Sequence, residues 1–172
     1  DAFIADTVAH GYWGLENLSD IPGTVGATPV QNVGAYGVEV SDCIQEVEVY
    51  DTFTHTTRVL QRDECAFGYR HSVFKTAAGA GLVIVRVTFA LSPAPAPVLH
   101  YAGLAEQLST TTPSQQAVRD AVRAIRSRKF PDWRRVGTAG SFFKNPVLDE
   151  AHFTALRAKF PTLPGFSQTE GM

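Results

Sequence analysis

Three features of the 172-residue sequence point to an α+β fold. Strand-like runs at 44–50 and 82–91 are segregated from the helical patterns instead of alternating with them. Two helical patterns, near 113–128 and 149–159, come late in the chain, after the strands. Between the N-terminus and the first strand lies an irregular stretch, 14–37, with five glycines and two prolines. It is too long for a featureless loop, and its Ile21, Val25, Val30, Val33 and Tyr36 argue for ordered backbone. A composition of 44% hydrophobic and 19% charged residues can close a core and excludes disorder. A net charge of -2 argues against a surface built for nucleic acid.

Taken in order, Phe3, Ile4, Val8 and Ala9 fall at helical spacing, and Gly11 stands where that helix would stop. In Ile44–Tyr50, Val47 and Val49 alternate with Glu46 and Glu48; Thr52–His55 can turn, and Thr56–Leu60 can return as a hairpin partner. Leu82–Leu91 is the strongest strand, and its near-continuous apolar character predicts burial on both faces along part of its length. Pro93, Pro95 and Pro97 end it in a stiff, extended connector. For the helix at 113–128, Thr112 suits the N-cap, Pro113 the first turn, and Gln115 a capping box. Its core stripe is Ala117, Val118, Ala121, Val122 and Ile125, with Arg119, Arg123 and Arg126 on another face. A last helix is expected from Asp149 to Lys159, closed by Pro161.

A change of character near Lys129–Asp132 marks an expected boundary between domains 1–129 and 130–172. The most apolar stretch, 77–91, contains Arg86 and is shorter than the roughly 20 residues that span a bilayer. Cys43 and Cys65 are too few for a disulfide scaffold, so free thiols and a cytoplasmic location are expected. The sole methionine is Met172 and the first residue is Asp1, so the chain is expected to be a piece of something longer.

Four constellations could carry chemistry. In 21–37, small residues at Gly23, Gly26, Ala27, Gly34 and Ala35 let backbone N–H groups approach a ligand, and Gln31 and Asn32 suit the edge of a heterocycle. A turn-rich connector fits that composition equally well. In 64–75, Arg70 sits among Tyr69, His71 and Ser72, where it could clamp a carboxylate or phosphate, or simply pair with an acidic neighbour. In 137–146, Ser141 lies between Gly140 and Phe142-Phe143, placed to move a proton or merely to cap a turn. Finally, Arg119, Arg123, Arg126, Arg128, Lys129, Arg134 and Arg135 form a basic run that could be a solvated face, a diphosphate site or an RNA contact. The five histidines have no ligand spacing, so no metal is expected.

Together, Gly14-Leu-Glu-Asn-Leu, Ile-Pro-Gly-x-Val-Gly-x-x-Pro-x-Gln-Asn-x-Gly-Ala-Tyr-Gly, Phe-Gly-Tyr-Arg-x-Ser-x-Phe-Lys and Gly-Ser-Phe-Phe-Lys-Asn-Pro resemble the UDP-N-acetylenolpyruvoylglucosamine reductases (MurB) of peptidoglycan synthesis. Pro-Val-Leu-His-Tyr101 is similar to the type with a tyrosine loop over the substrate. The resemblance implies an NADPH-dependent flavoenzyme that uses FAD to reduce its UDP-sugar to UDP-N-acetylmuramate. It implies Arg70 and Ser141 as catalytic residues: Arg70 stabilises charge on the enolpyruvyl carboxylate, and Ser141 is the proton donor. It implies substrate contacts at Tyr69, Tyr101, Arg126, Lys129 and Asn145. The flavin segment would comprise Gly26, Ala27, Thr28, Pro29, Gln31, Asn32, Gly34, Ala35 and Tyr36.

In fold terms, 1–129 would be most of the second lobe of the flavin-binding domain, and 130–172 the opening of the substrate domain. Family members carry an upstream glycine-serine-asparagine turn and a downstream catalytic glutamate with no match here. The chain alone is therefore expected to bind FAD weakly and to turn over negligibly, and no oligomer is implied. The rival readings are another FAD-dependent oxidoreductase of the same broad fold, and an anion- or RNA-binding module built on the arginine-rich helix.

Overall fold

The computed structural model describes residues 1–101, 103–132, 134–137 and 142–166, in two compact units, 1–138 and 139–172. The first unit begins with helix α1 (Ala2–Ala9), which ends at Gly11 in the left-handed region, φ +79°, where glycine carries no Cβ penalty. The segment 14–37 is ordered as single helical turns at Glu16–Leu18 and Val25–Ala27, followed by a minimal ladder of β1 (Gly34–Ala35) with β2 (Val38–Glu39).

Strands β3 (Ile44–Asp51), β4 (Thr56–Gln61) and β5 (Leu82–Phe89) form an antiparallel sheet in the order β4-β3-β5. The β3–β4 hairpin closes from Asp51↔Thr56, and the Asp51 carboxylate accepts from the Phe53 and Thr54 N–H groups. Those two bonds hold the exposed Asp51 carboxyl below the usual carboxylate range. Beyond β5, Trp13 and Ser92 exchange backbone bonds of 2.7 and 3.1 Å and tie the early chain to the sheet.

Val47 and Val49 are fully buried and sit with Leu15, Leu18, Val40, Ile44 and Leu60 in the main core. Each such side chain contributes about 1.5–3 kcal/mol relative to exposure. Burial also pushes the free thiols of Cys43 and Cys65 up to about 11, so neither is a thiolate at neutral pH. The strongest apolar run behaves differently from its sequence expectation. Val83 and Val85 of β5 are 53% and 58% exposed, because β5 is an edge strand with one covered face.

Helix α2 (Gln115–Lys129) packs Val118, Ala121 and Val122 into a second core with Trp13, Tyr36 and Leu104. Its N-cap is Ser114, whose hydroxyl accepts from the Ala117 N–H; the expected cap, Thr112, lies two residues before it and outside the helix. The second unit holds the expected last helix, α3 (Glu150–Lys159), one residue shorter at its start because Asp149 is its N-cap and accepts from the His152 N–H at 2.8 Å. Among the described residues, no helix is long and apolar enough to cross a membrane.

Candidate functional site

The β1–β2 turn organises the first unit's candidate site. Three non-glycine residues there and beside it adopt left-handed backbone: Asn32 (φ +48°), Tyr36 (φ +52°) and Arg70 (φ +53°). Each such conformation costs of order 1 kcal/mol or more and persists only where surrounding bonds enforce it. For Arg70 those bonds are visible. The 68–71 turn closes through paired Gly68 and His71 backbone bonds, Lys75 Nζ donates to the Arg70 carbonyl at 3.0 Å, and buried Ser72 donates to the Val30 carbonyl at 2.6 Å.

So held, Arg70 reaches back to the glycine-rich turn. Its Nη2 donates to the Gly34 carbonyl at 2.7 Å, its guanidinium stacks 5.1 Å from the Tyr69 ring centroid, and Nη1 stands 3.6 Å from Glu39 Oε1. Nη1 is buried and has no hydrogen-bond partner among the described residues. Gly34 permits this approach, since a Cβ there would come within 2.9 Å of Nη1. Burial pushes the Glu39 carboxyl above the usual carboxylate range, opposed by the Arg70 charge and a bond from Asn32.

Two residues further along the turn, Tyr36 meets a second group of side chains. Its ring packs edge-on against Tyr101 at 4.9 Å, and the Arg126 guanidinium is close enough to oppose the upward push that burial gives the Tyr36 hydroxyl. Arg126 also donates to the Asp20 carbonyl at 3.2 Å, and both Arg126 and Lys129 lie over the Phe130 ring, at 5.1 and 5.6 Å. Arg126, Phe130, Asp20 and Arg134 line a cleft of about 280 Å³. A larger groove of about 510 Å³ runs between α1 and β5, and among the described residues its lining pairs Asp6 with His10, 3.5 Å apart and facing each other. Converging cations and a buried donor favour the turn and the α2 end as the site.

The structure thus joins Arg70 with Tyr69 and Gly34, and joins Tyr101 and Arg126 with Tyr36, while Lys129 shares the Phe130 ring with Arg126. Asn32 directs its side chain into the protein: Nδ2 donates to Glu39 Oε2 at 2.6 Å and to the Gly68 carbonyl at 3.2 Å, and Oδ1 accepts from the Ser41 N–H. Thr28 donates to the Val25 carbonyl and Pro29 is buried, whereas Gln31 and Ala27 are exposed and Gly26 has room around it. Asn145 belongs to the second unit and is exposed there; Ser141 lies outside the described residues.

The basic run is not one face. Arg119 is buried and paired with Asp1, Arg128 donates to Gln107, and Arg123 sits 3.8 Å from Asp120, while Arg126 and Arg134 line the cleft and Lys129 lies over the Phe130 ring beside it. Two residues in the site had no role assigned from sequence. Glu39 lies beyond the Gly-Ala-Tyr-Gly motif and gave no signal. Asn17, inside the Gly-Leu-Glu-Asn-Leu motif, is fully buried and donates to the Tyr36 and Val98 carbonyls at 2.7 and 2.8 Å, fastening the turn to the segment before Tyr101.

No family model matches the chain. It is 50% identical over 171 residues to the UDP-N-acetylenolpyruvoylglucosamine reductase of Ralstonia nicotianae, covering 98% of the chain and 50% of that protein. The reductase of the same name from Neisseria gonorrhoeae is 46% identical, over 98% of the chain and 50% of its own length. The crystal structure of UDP-N-acetylenolpyruvylglucosamine reductase (MurB) from Thermus caldophilus superposes with a TM-score of 0.59 at 25% identity, over 91% of the chain and 50% of that protein. The resemblance carried by the motifs is therefore borne out, and the chain spans about half the length of the curated relatives it matches.

Proposed function

We propose that this chain, homologous over nearly its whole length to UDP-N-acetylenolpyruvoylglucosamine reductases, supplies the anion-clamping part of such an oxidoreductase in peptidoglycan precursor synthesis. The observation that carries the reading is Arg70, held in left-handed backbone with its guanidinium pinned to the Gly34 carbonyl and one amino group left without a hydrogen-bond partner among the described residues. FAD, reduced by NADPH, would supply the hydride. The exposed Gln31 and the open backbone around Gly26 and Ala27 fit a flavin edge, whereas Asn32 serves from behind by fastening the turn.

In this reading Arg70 stabilises the negative charge that grows toward the substrate carboxylate as hydride arrives. A fixed donor in a water-poor site commonly contributes about 10²–10³ in rate. Tyr69 orients the guanidinium through its ring. Arg126 and Lys129, presented over Phe130, take the diphosphate, and Tyr101, braced by Tyr36, covers the sugar. Ser141 protonates the resulting enolate carbon and Asn145 completes the substrate contacts.

The reading is tested in a chimera that carries this chain in place of the matching half of the Ralstonia nicotianae reductase. The expected result is UDP-sugar-dependent NADPH oxidation that Arg70→Met lowers by about 10²–10³ in kcat. A folded, flavin-loaded chimera with no activity, or one indifferent to Arg70→Met, refutes it. The 172-residue chain by itself is expected to bind FAD weakly and to oxidise NADPH negligibly; sub-micromolar FAD binding would overturn that expectation.

A further inference from the structure

Glu39 has no role in the reading above, yet among the described residues it is the carboxylate paired with Arg70. Its Oε2 accepts from Asn32 Nδ2 at 2.6 Å, its side chain caps the Asp42 N–H, and its Oε1 faces Arg70 Nη1 at 3.6 Å. That last separation is too long for a hydrogen bond but short for a charge interaction. The guanidinium is already pinned by the Gly34 carbonyl and the Tyr69 ring, so Glu39 adds charge balance more than placement.

We infer that Glu39 is a positioning residue acting through Arg70: by balancing the guanidinium charge it limits how strongly the Arg70 site draws an anionic ligand, without touching that ligand. The inference rests on the reading of Arg70 as anion-facing. Its consequence is a coupling to protons. Protonating Glu39 uncovers the Arg70 charge, so anion binding tightens as pH falls, and binding takes up a proton. Burial, which raises the Glu39 carboxyl, brings that change closer to neutral pH.

The groups facing the pair are Asp42 and Asn32 around Glu39, and Lys75, which bonds the Arg70 carbonyl. His71 adjoins Arg70 in the chain, so a His71→Gln control removes its ring from the measurement.

The test uses the full 172-residue chain and pyruvate, a carboxylate whose own charge is constant between about pH 5 and pH 8. Binding is read from line broadening of the pyruvate methyl signal by NMR, which serves every variant, and in wild type the Arg70 Nε–Hε signal locates it. Pyruvate affinity is expected to rise about two- to fivefold from pH 8 to pH 5, the scale of a partly exposed ion pair. In Glu39→Gln it should be flat with pH and near the low-pH value throughout, while His71→Gln keeps the wild-type slope. A Glu39→Gln variant with the wild-type slope, or with weaker binding at pH 8, overturns the inference alone. If Arg70→Met leaves pyruvate binding intact, or wild type binds none, the anion site falls and this inference with it. Because Glu39→Gln could impair folding, the Glu39 carboxyl carbon is also titrated in wild type and Arg70→Met. Its midpoint must move up when the guanidinium is removed, and an unmoved midpoint overturns the coupling.

Discussion

Replacing Arg119 by Met should be among the costliest single changes in the first unit, although the residue reads in sequence as one of a run of surface arginines. Its side chain is 7% exposed and makes three charge-assisted bonds: Nη1 to Asp1 Oδ1 at 2.6 Å, Nη2 to Asp1 Oδ2 at 2.8 Å, and Nη1 to Ser19 Oγ at 2.9 Å. The fork ties α2 to α1 and to the loop that begins the glycine-rich segment. Breaking a fully buried pair typically costs 3–5 kcal/mol, mostly through the stranded partner charge. Here Asp1 is 28% exposed and keeps a bond from the Asp20 N–H, so the stranded charge is partly solvated. Met also preserves much of the aliphatic packing. The expected loss is therefore about 2–3 kcal/mol, or roughly 6–12 °C in Tm for a unit of this size. Arg119→Lys, which keeps the charge but loses the fork, should lose about half as much. Urea unfolding of both variants and of Asp1→Asn, alone and combined, measures this directly. An Arg119→Met midpoint within about 0.5 kcal/mol of wild type, or strict additivity with Asp1→Asn, would show that the pair contributes little.

Two further changes probe the turn and the loop before it. Gly37 has φ +84°, and a Cβ there would meet His100 Nε2 at 2.6 Å, so Gly37→Ala should cost about 1–2 kcal/mol in urea unfolding and broaden the NMR signals of 98–101; a neutral substitution contradicts the close approach. Glu16 is 2% exposed, accepts from the Gly14 N–H, and burial raises its carboxyl above the usual range with no cation paired to it among the described residues. A raised folded value means that the native state holds its proton longer than the unfolded chain, so this group makes stability fall as pH rises above about 4.5. Glu16→Gln should then be neutral or stabilising at pH 7 and lose that advantage near pH 4, and the opposite ordering in pH-dependent urea melts refutes the assignment.

What the sequence made legible is what local spacing controls. The β3–β4 hairpin shows in the alternation of Val47 and Val49 against Glu46 and Glu48; the core stripe of α2 shows in its 3.6-residue period; the end of α3 shows in Pro161. What it concealed depends on pairings formed across the chain. Nothing local distinguishes buried Arg119 from exposed Arg123, because the difference is Asp1, 118 residues away. Val83 and Val85 look like a two-faced buried strand until β3 turns out to lie at the centre of the sheet and β5 at its edge.

The candidate site divides the same way. Arg70 and the glycine-rich turn stand out because glycine, asparagine and arginine cluster in short motifs. Their junction, Arg70 to the Gly34 carbonyl 36 residues back, is a tertiary event, and so is Glu39, which no motif marks. Left-handed backbone at Asn32, Tyr36 and Arg70 is where the two levels meet. Asn tolerates that conformation locally, whereas Tyr36 and Arg70 hold it only because core packing and the 68–71 turn enforce it. Strain maintained by distant contacts, at the residues that present a cation and an aromatic ring, is the physical reason to place the chemistry here. The α1–β5 groove is larger, but among the described residues its lining brings no such strained backbone and no buried donor without a partner, since the Thr7 hydroxyl is spent on the Ile4 carbonyl.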